Sequence, residues 1–335
     1  MTVRTKAAVL AGDIGGTKTH LGLFRAEGGA PVLLRDKLYA TRDFKTLEEV
    51  AHDFLSGAWA IDAACFGVPG PIIDGVSHAT NVPWTMEERA LARALGVPGA
   101  RLINDLEATA YGMLHLQETE MAVLQRGTPP AARASIAVIA AGTGLGEAGL
   151  VPLDDGRWRS VASEGGHADF APRGREQIEL LEFLGDEFDH VSFERVLSGP
   201  GLIHIYKFLK ARTPGAEPPW LADEFARAGD AAAVISEAAM AGRDPRCGEA
   251  LRIFTDIYGA EAANLALKFM ALGGVYVGGG IAPKILPMLS AGGGFVRAFL
   301  AKGRLAKLLA RIPLRVSLNQ AAALVGAARC AMEML

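Results

Sequence analysis

The chain has 335 residues, half of them hydrophobic, enough to bury the cores of two ordinary domains without covalent staples. Its 34 lysines and arginines are balanced by 37 acidic residues and form no basic block, which excludes a nucleic-acid surface while leaving room for a small anionic substrate. Three scattered cysteines, Cys65, Cys247 and Cys330, exclude a disulfide framework and a cysteine zinc site and fit a reducing cytoplasm.

The first six residues carry two basic side chains, but the apolar stretch behind them, 7–11, meets Gly12-Asp13 and is too short for a signal-peptide core. Residues 7–11, 19–24 and 32–39 read as strands joined by glycine turns, an antiparallel meander. Helical spacing over 46–55 leads to a strand at 63–68, ended by Pro69-Gly70-Pro71. A helix is predicted over 85–95, with Thr85 as its cap and Glu87 and Glu88 in its first turn. Strand 101–103 then delivers Asn104 and Asp105 to an apolar helical pattern, 106–114.

Residues 128–134, with two prolines, read as a linker. Strand 135–141 runs into Gly142-Thr143-Gly144-Leu145-Gly146 and returns over 147–151, repeating the strand, glycine turn and strand seen around Gly12-Asp13-Ile14-Gly15-Gly16-Thr17. Helices are predicted over 176–188, 200–210, 231–241 and 248–272; the longest apolar stretch, 265–277, carries Lys268 and ends in glycines, so no membrane span results. Strand 273–277 precedes a third glycine turn, Gly278-Gly279-Gly280, with Pro283 opening a helix. Residues 292–294 read as a flexible glycine loop, and strand 314–318 and helix 321–333 close the chain.

A carboxylate at a strand-to-helix junction, such as Asp105, either caps the helix or takes a proton from a bound hydroxyl. The glycine turns allow backbone N–H groups to converge on an anion without side chains in the way, although either turn alone would also serve as a plain hairpin. The first is not a Walker loop, since Lys18 enters a strand. Asp13 beside such a turn either stabilises it or holds Mg²⁺ through water. Glu164 and His167 flank two glycines that disfavour a helix, so both side chains project from a loop, toward polyol hydroxyls or simply into the structure. Glu194 is locally indistinguishable from a surface residue.

Taken together, the glycine turns, Thr80-Asn81 with Trp84, Ile103-Asn104-Asp105, Glu164-Gly165-Gly166-His167 with Asp169-Phe170-Ala171-Pro172, and Glu194-Arg195-Val196-Leu197-Ser198-Gly199-Pro200-Gly201 resemble the bacterial glucokinase family. The resemblance implies an α/β duplicated ribonuclease H-like (actin-like ATPase) fold, with two domains and an interdomain cleft. The expected division is 1–115, completed by helix 319–335, and 116–318. It implies Asp105 as general base on the glucose 6-hydroxyl, with Asn104, Glu164, His167 and Glu194 binding other hydroxyls. Residues Gly12, Asp13, Ile14, Gly15, Gly16 and Thr17, together with Gly142, Thr143 and Gly144, would hold ATP phosphates, and Gly278, Gly279 and Gly280 would line the adenosine side. Mg²⁺ at Asp13, a cytoplasmic place in glycolysis and a homodimer are further expectations. A kinase for another hexose or amino sugar, or a non-catalytic sugar sensor, are the alternatives; no zinc motif or N-terminal helix-turn-helix of the related repressor-type proteins is present.

Overall fold

A computed structural model describes residues 8–28, 30–56, 60–79, 82–130, 132–213, 215–290 and 292–335. Ala7 of the expected first strand, the Thr80-Asn81 pair and Ala131 of the expected linker lie outside the described residues. The first half runs β1 (Ala8–Ile14), β2 (Lys18–Glu27), β3 (Ala30–Ala40), α1 (Leu47–Leu55), β4 (Ala63–Val68), β5 (Ile72–Ile73), β6 (Val76–His78), β7 (Thr85–Glu87), α2 (Glu88–Leu95), β8 (Ala100–Asn104) and α3 (Asp105–Met113). The second half runs β9 (Met121–Gln125), β10 (Ile136–Ala141), β11 (Leu145–Pro152), β12 (Trp158–Ser163), α4 (Gly174–Gly185), α5 (Gly199–Arg212), α6 (Pro219–Arg227), α7 (Ala231–Met240), α8 (Pro245–Lys268), β13 (Gly274–Gly278), α9 (Leu286–Leu289), α10 (Gly294–Leu300), α11 (Ala306–Leu309), β14 (Leu314–Ser317) and α12 (Ala322–Met332).

The duplication read from the glycine turns is a duplication of sheets. One sheet has the order β3-β2-β1-β4-β8; the other has β12-β11-β10-β13-β14, with β9 added at its edge. In each, an antiparallel meander opens the sheet and two parallel strands follow on the far side of the first strand. The central strands are apolar almost throughout because both faces are covered. Along β1, Val9 and Ala11 enter one cluster while Ala8, Leu10 and Ile14 enter another, the period of two expected of a strand. Along β10, Ile136 and Val138 join the cluster that holds Val9, whereas Ala137, Ile139 and Ala141 face the helices of the second half. The shared cluster is filled by α3 and α12, so these two helices lie between the sheets.

Five local expectations are corrected. Residues 85–87 form β7, not the start of a helix, because Met86 is buried opposite Ser77 and the Thr85 hydroxyl is spent on His78 Nδ1 at 3.3 Å instead of capping. The stretch 128–134 connects two strands of one sheet, so it is an internal loop and not a linker between domains. Pro283 sits in consecutive turns, and the following helix starts at Leu286. Of the glycines at 292–294 only Gly292 is open to solvent: a Cβ on Gly293 would lie 2.1 Å from the Met288 carbonyl oxygen, and Gly294 opens α10 against Asp256. Finally, the first strand runs on through Gly12, Asp13 and Ile14, which confines the turn to Gly15-Gly16-Thr17. No helix of the described residues is long and apolar enough to cross a membrane.

Candidate active site

Parallel strands end on the same side of a sheet, and ligands gather at that carboxyl edge. Register pairs Asp13 of β1 with Gly67 of β4, and Gly67 with Ile103 of β8, so Asp13 and the 104–105 junction come to one edge. Gly67 has no side chain to obstruct them; a Cβ there would sit 3.0 Å from Ala108 and 3.6 Å from the Asp105 Cα. The second sheet brings the Gly142 turn and the end of β13 to the same place. The result is a cleft of about 450 Å³ between the sheets.

The strand-to-helix junction divides its labour differently from the capping role first considered for Asp105. Asn104 is the cap: its Oδ1 accepts the Leu106 N–H at 2.9 Å, its Nδ2 donates to the Gly70 carbonyl at 3.3 Å, and its own N–H donates to Glu107 at 3.1 Å. Asp105 is the first helical residue. Its Oδ1 also accepts the Leu106 N–H at 2.9 Å, and Thr109 donates to its backbone carbonyl. Burial, followed by the charge of Asp13, pushes the Asp105 carboxyl up to about 7; Glu164 adds to the push and the Leu106 N–H opposes it. Asp13 is raised as well, by burial, with His20 pulling the other way.

Both glycine turns are held by neighbours. In the first, the Gly15 N–H donates to Lys18 O at 2.9 Å, and the Thr41 hydroxyl donates to Gly15 O at 2.7 Å. In the second, Gly142 accepts from the first N–H of α5, that of Gly199, at 2.8 Å, and the Ala141 N–H donates to the Tyr258 hydroxyl at 3.2 Å. The Leu145 N–H donates to Glu194 Oε2 at 2.9 Å, which ties this turn directly to a residue expected to meet sugar. Packed against the second glycine turn is a single helical turn, Gly165–His167, with the exposed side chains of Glu164 and His167 4.0 Å apart. Gly166 is required there, since a Cβ would fall 2.0 Å from the Leu145 carbonyl oxygen.

Of the expected site residues, the cleft is lined by Asp13, Ile14, Gly15, Gly16, Asn104, Asp105, Gly142, Thr143, Gly144, Glu164, His167, Glu194 and Gly279. Gly12, Thr17, Gly278 and Gly280 do not line it. Gly12 packs inward, where a Cβ would lie 2.5 Å from Phe66, and Gly278 is buried beside Met113 and Ala140; Gly279, at φ +81°, makes the turn. Sequence reasoning missed Thr109, Ser163, Ser317, Asn319 and Gln320, which also line the cleft. Thr109 was within reach through its four-residue spacing from Asp105. Those after β14 needed the knowledge that β14 runs parallel to β13.

The donor set fits a hard divalent cation held sparsely. No group of three or more metal-ligating side chains exists among the described residues, but two carboxyls, Asp13 and Asp105, face one cleft; burial raises the proton affinity of both, and the charge of Asp13 raises that of Asp105 further. Mg²⁺ bound by one carboxylate, substrate phosphates and water suits that arrangement.

Two copies of one sheet order, each opened by a glycine hairpin, with carboxylates in the cleft between them, define an actin-like ATPase fold of the sugar-kinase kind. A family model described as Glucokinase matches residues 10–334. The chain is 39% identical to the glucokinase of Synechocystis sp., over 97% of this chain and 98% of that protein, and 40% identical to that of Nostoc sp., over 97% and 99%. Among solved structures, a glucokinase from an Antarctic psychrotroph superposes with a TM-score of 0.83 at 31% identity, covering 98% of this chain and 100% of that one. The chain belongs to the glucokinase family.

Proposed function

We propose that the chain transfers the γ-phosphoryl group of ATP to the 6-hydroxyl of glucose, with Asp105 as general base. The observation that carries this reading is the position of Asp105: a buried carboxyl pushed up to about 7, in one cleft with the glycine turns and with Glu164, His167 and Glu194. A base with a proton affinity near the working pH is ionised often enough to accept a proton and basic enough to hold it. As attack proceeds, the hydroxyl proton passes to an Asp105 oxygen and the new O–P bond forms while the bond to the ADP leaving oxygen breaks.

The other residues position. Glu194 uses one oxygen on the Leu145 N–H, leaving the second for a sugar hydroxyl, and Asn104 retains one amide hydrogen after its bond to Gly70. Glu164 and His167 supply an acceptor and a donor from the neighbouring turn. The backbone N–H groups at Gly15-Gly16 and Gly142-Thr143-Gly144 would cradle the phosphates, with Gly279 on the adenosine side. Mg²⁺ held at Asp13 would neutralise phosphate charge. Residues 1–115 with 319–335, and 116–318, are read as two domains that close on the sugar and exclude water, which would otherwise be phosphorylated in its place. A cytoplasmic homodimer serving glycolysis completes the reading.

A coupled assay of ATP-dependent phosphorylation across glucose, other hexoses and amino sugars tests it. Turnover with glucose is expected; turnover confined to another sugar would change the substrate, and glucose binding without turnover would make the protein a sensor.

A further inference from the structure

Beneath the 164–167 turn lies a buried acid pair that phosphoryl transfer leaves unused. Glu147 on β11 is 1% exposed and Glu261 on α8 is fully buried. Both oxygens of Glu147 and Oε1 of Glu261 lack a hydrogen-bond donor among the described residues, whereas Glu261 Oε2 accepts from Asn264 at 2.7 Å. Three unsatisfied carboxylate oxygens inside a core would be costly if both groups were ionised.

The surroundings offer limited compensation. From α8, Lys268 Nζ lies 3.5 Å from Glu261, and Tyr258 faces Glu147 while its hydroxyl accepts from Ala141. Lys302 reaches Asn264 rather than either carboxyl, with Arg173 behind it. From β12, Ser163 is the cross-strand partner of Glu147, and Glu164 and His167 project to solvent. Among the described residues a single ammonium, that of Lys268, comes within ion-pair distance of either carboxyl, which leaves a place for one proton between them.

The pair touches the turn itself. Ser163 Oγ accepts the Gly165 N–H at 2.9 Å, and a Cβ on Gly165 would lie 2.1 Å from Glu147 Oε2, so the carboxyl packs directly on the Gly165 backbone. We propose that Glu147 is a positioning residue for glucose: sharing one proton with Glu261, its carboxyl is the prop on which the turn carrying Glu164 and His167 rests. This rests on the reading of that turn as sugar-binding. Burial, then the charge of Glu261, pushes Glu147 up to about 8, with Lys268 opposing, and Glu261 is raised mainly by burial. The shared proton is therefore held below about pH 8 and lost above it, when two like charges push apart under the turn.

The test is steady-state kinetics of the full chain over roughly pH 6.5 to 9.5, for the unsubstituted protein, Glu147→Gln and Glu147→Ala. Glucose turnover by the unsubstituted chain is the baseline, so failure of the sugar reading shows there and failure of this proposal shows in the variants. The glucose KM of the unsubstituted protein is expected to climb about tenfold above pH 8, with kcat and the ATP KM steady. Glu147→Gln, which still donates to Glu261 but cannot ionise, keeps a low, flat glucose KM. Glu147→Ala raises the glucose KM about tenfold at neutral pH with kcat within about threefold. A Glu147→Gln profile that climbs in parallel with the unsubstituted protein would overturn the proposal, as would an unchanged KM in a folded Glu147→Ala; if the alanine variant does not fold, the glutamine profile decides.

Discussion

At the scale of single residues, the burial that raises the proton affinity of Asp105 costs stability and suits the base proposed for it. Its folded-state proton affinity, near 7, lies above the ordinary value of 3.8, so the native state binds more protons between those limits and stability falls as pH rises through them. Asp105→Asn removes that penalty, so its Tm should exceed that of the unsubstituted protein at pH 8 and the two should converge near pH 4, measured by calorimetry. Activity runs the other way: a base must be ionised, so kcat/KM should fall about tenfold per unit as pH drops below about 7. Gly144 sets up a second residue-level prediction. A Cβ there would lie 2.6 Å from Glu194 Oε2, so Gly144→Ala should displace that carboxylate and raise the glucose KM about tenfold in the coupled assay. The place of Asp105 at a strand-to-helix junction was legible in the sequence, but the identity of the cap was not. Asn and Asp are almost equal caps, and only the structure shows Asn104 Oδ1 on the Leu106 N–H and Glu107 completing the box. Glu147 was legible as a strand residue alone; its pairing with Glu261 of α8 joins positions more than a hundred apart in sequence.

At the scale of elements, the α3–α12 crossing decides how rigidly Asp105 is held. A Cβ on Gly112 would lie 1.9 Å from the Ala322 carbonyl oxygen, and one on Gly326 would lie 1.7 Å from that of Ala108, so the helices meet backbone to backbone. Gly326→Ala must force them apart, and overpacking of this kind costs about 1–3 kcal/mol. The expected outcome is a Tm lower by several degrees and a lower kcat, because α3 begins at Asp105; unchanged Tm and kcat would show that the crossing yields freely. Strands covered on both faces, such as 63–68 and 136–141, were legible because continuous apolar runs bounded by glycines have few alternatives. The short meander β5–β6–β7 was not, since strands of two or three residues carry no period and Glu87-Glu88 mimics a helix start.

At the scale of the whole molecule, two sheets of one topology share a helical layer and enclose a cleft to which both contribute. Duplication was visible because glycine turns survive in sequence as compact words; the sheet orders that make the halves equivalent are relations between distant strands, and no local pattern encodes them. Closure of the cleft should appear in small-angle scattering as a smaller radius of gyration with glucose than without it, and an unchanged radius would argue for a preformed site. The central claim is that Asp105 takes the proton. The most direct measurement is the turnover number of Asp105→Asn with saturating glucose and ATP at pH 8, alongside calorimetric titration of glucose. A fall of about 10²–10⁴-fold with glucose affinity preserved is predicted. Turnover close to that of the unsubstituted protein, in a variant that folds and binds glucose, would contradict it.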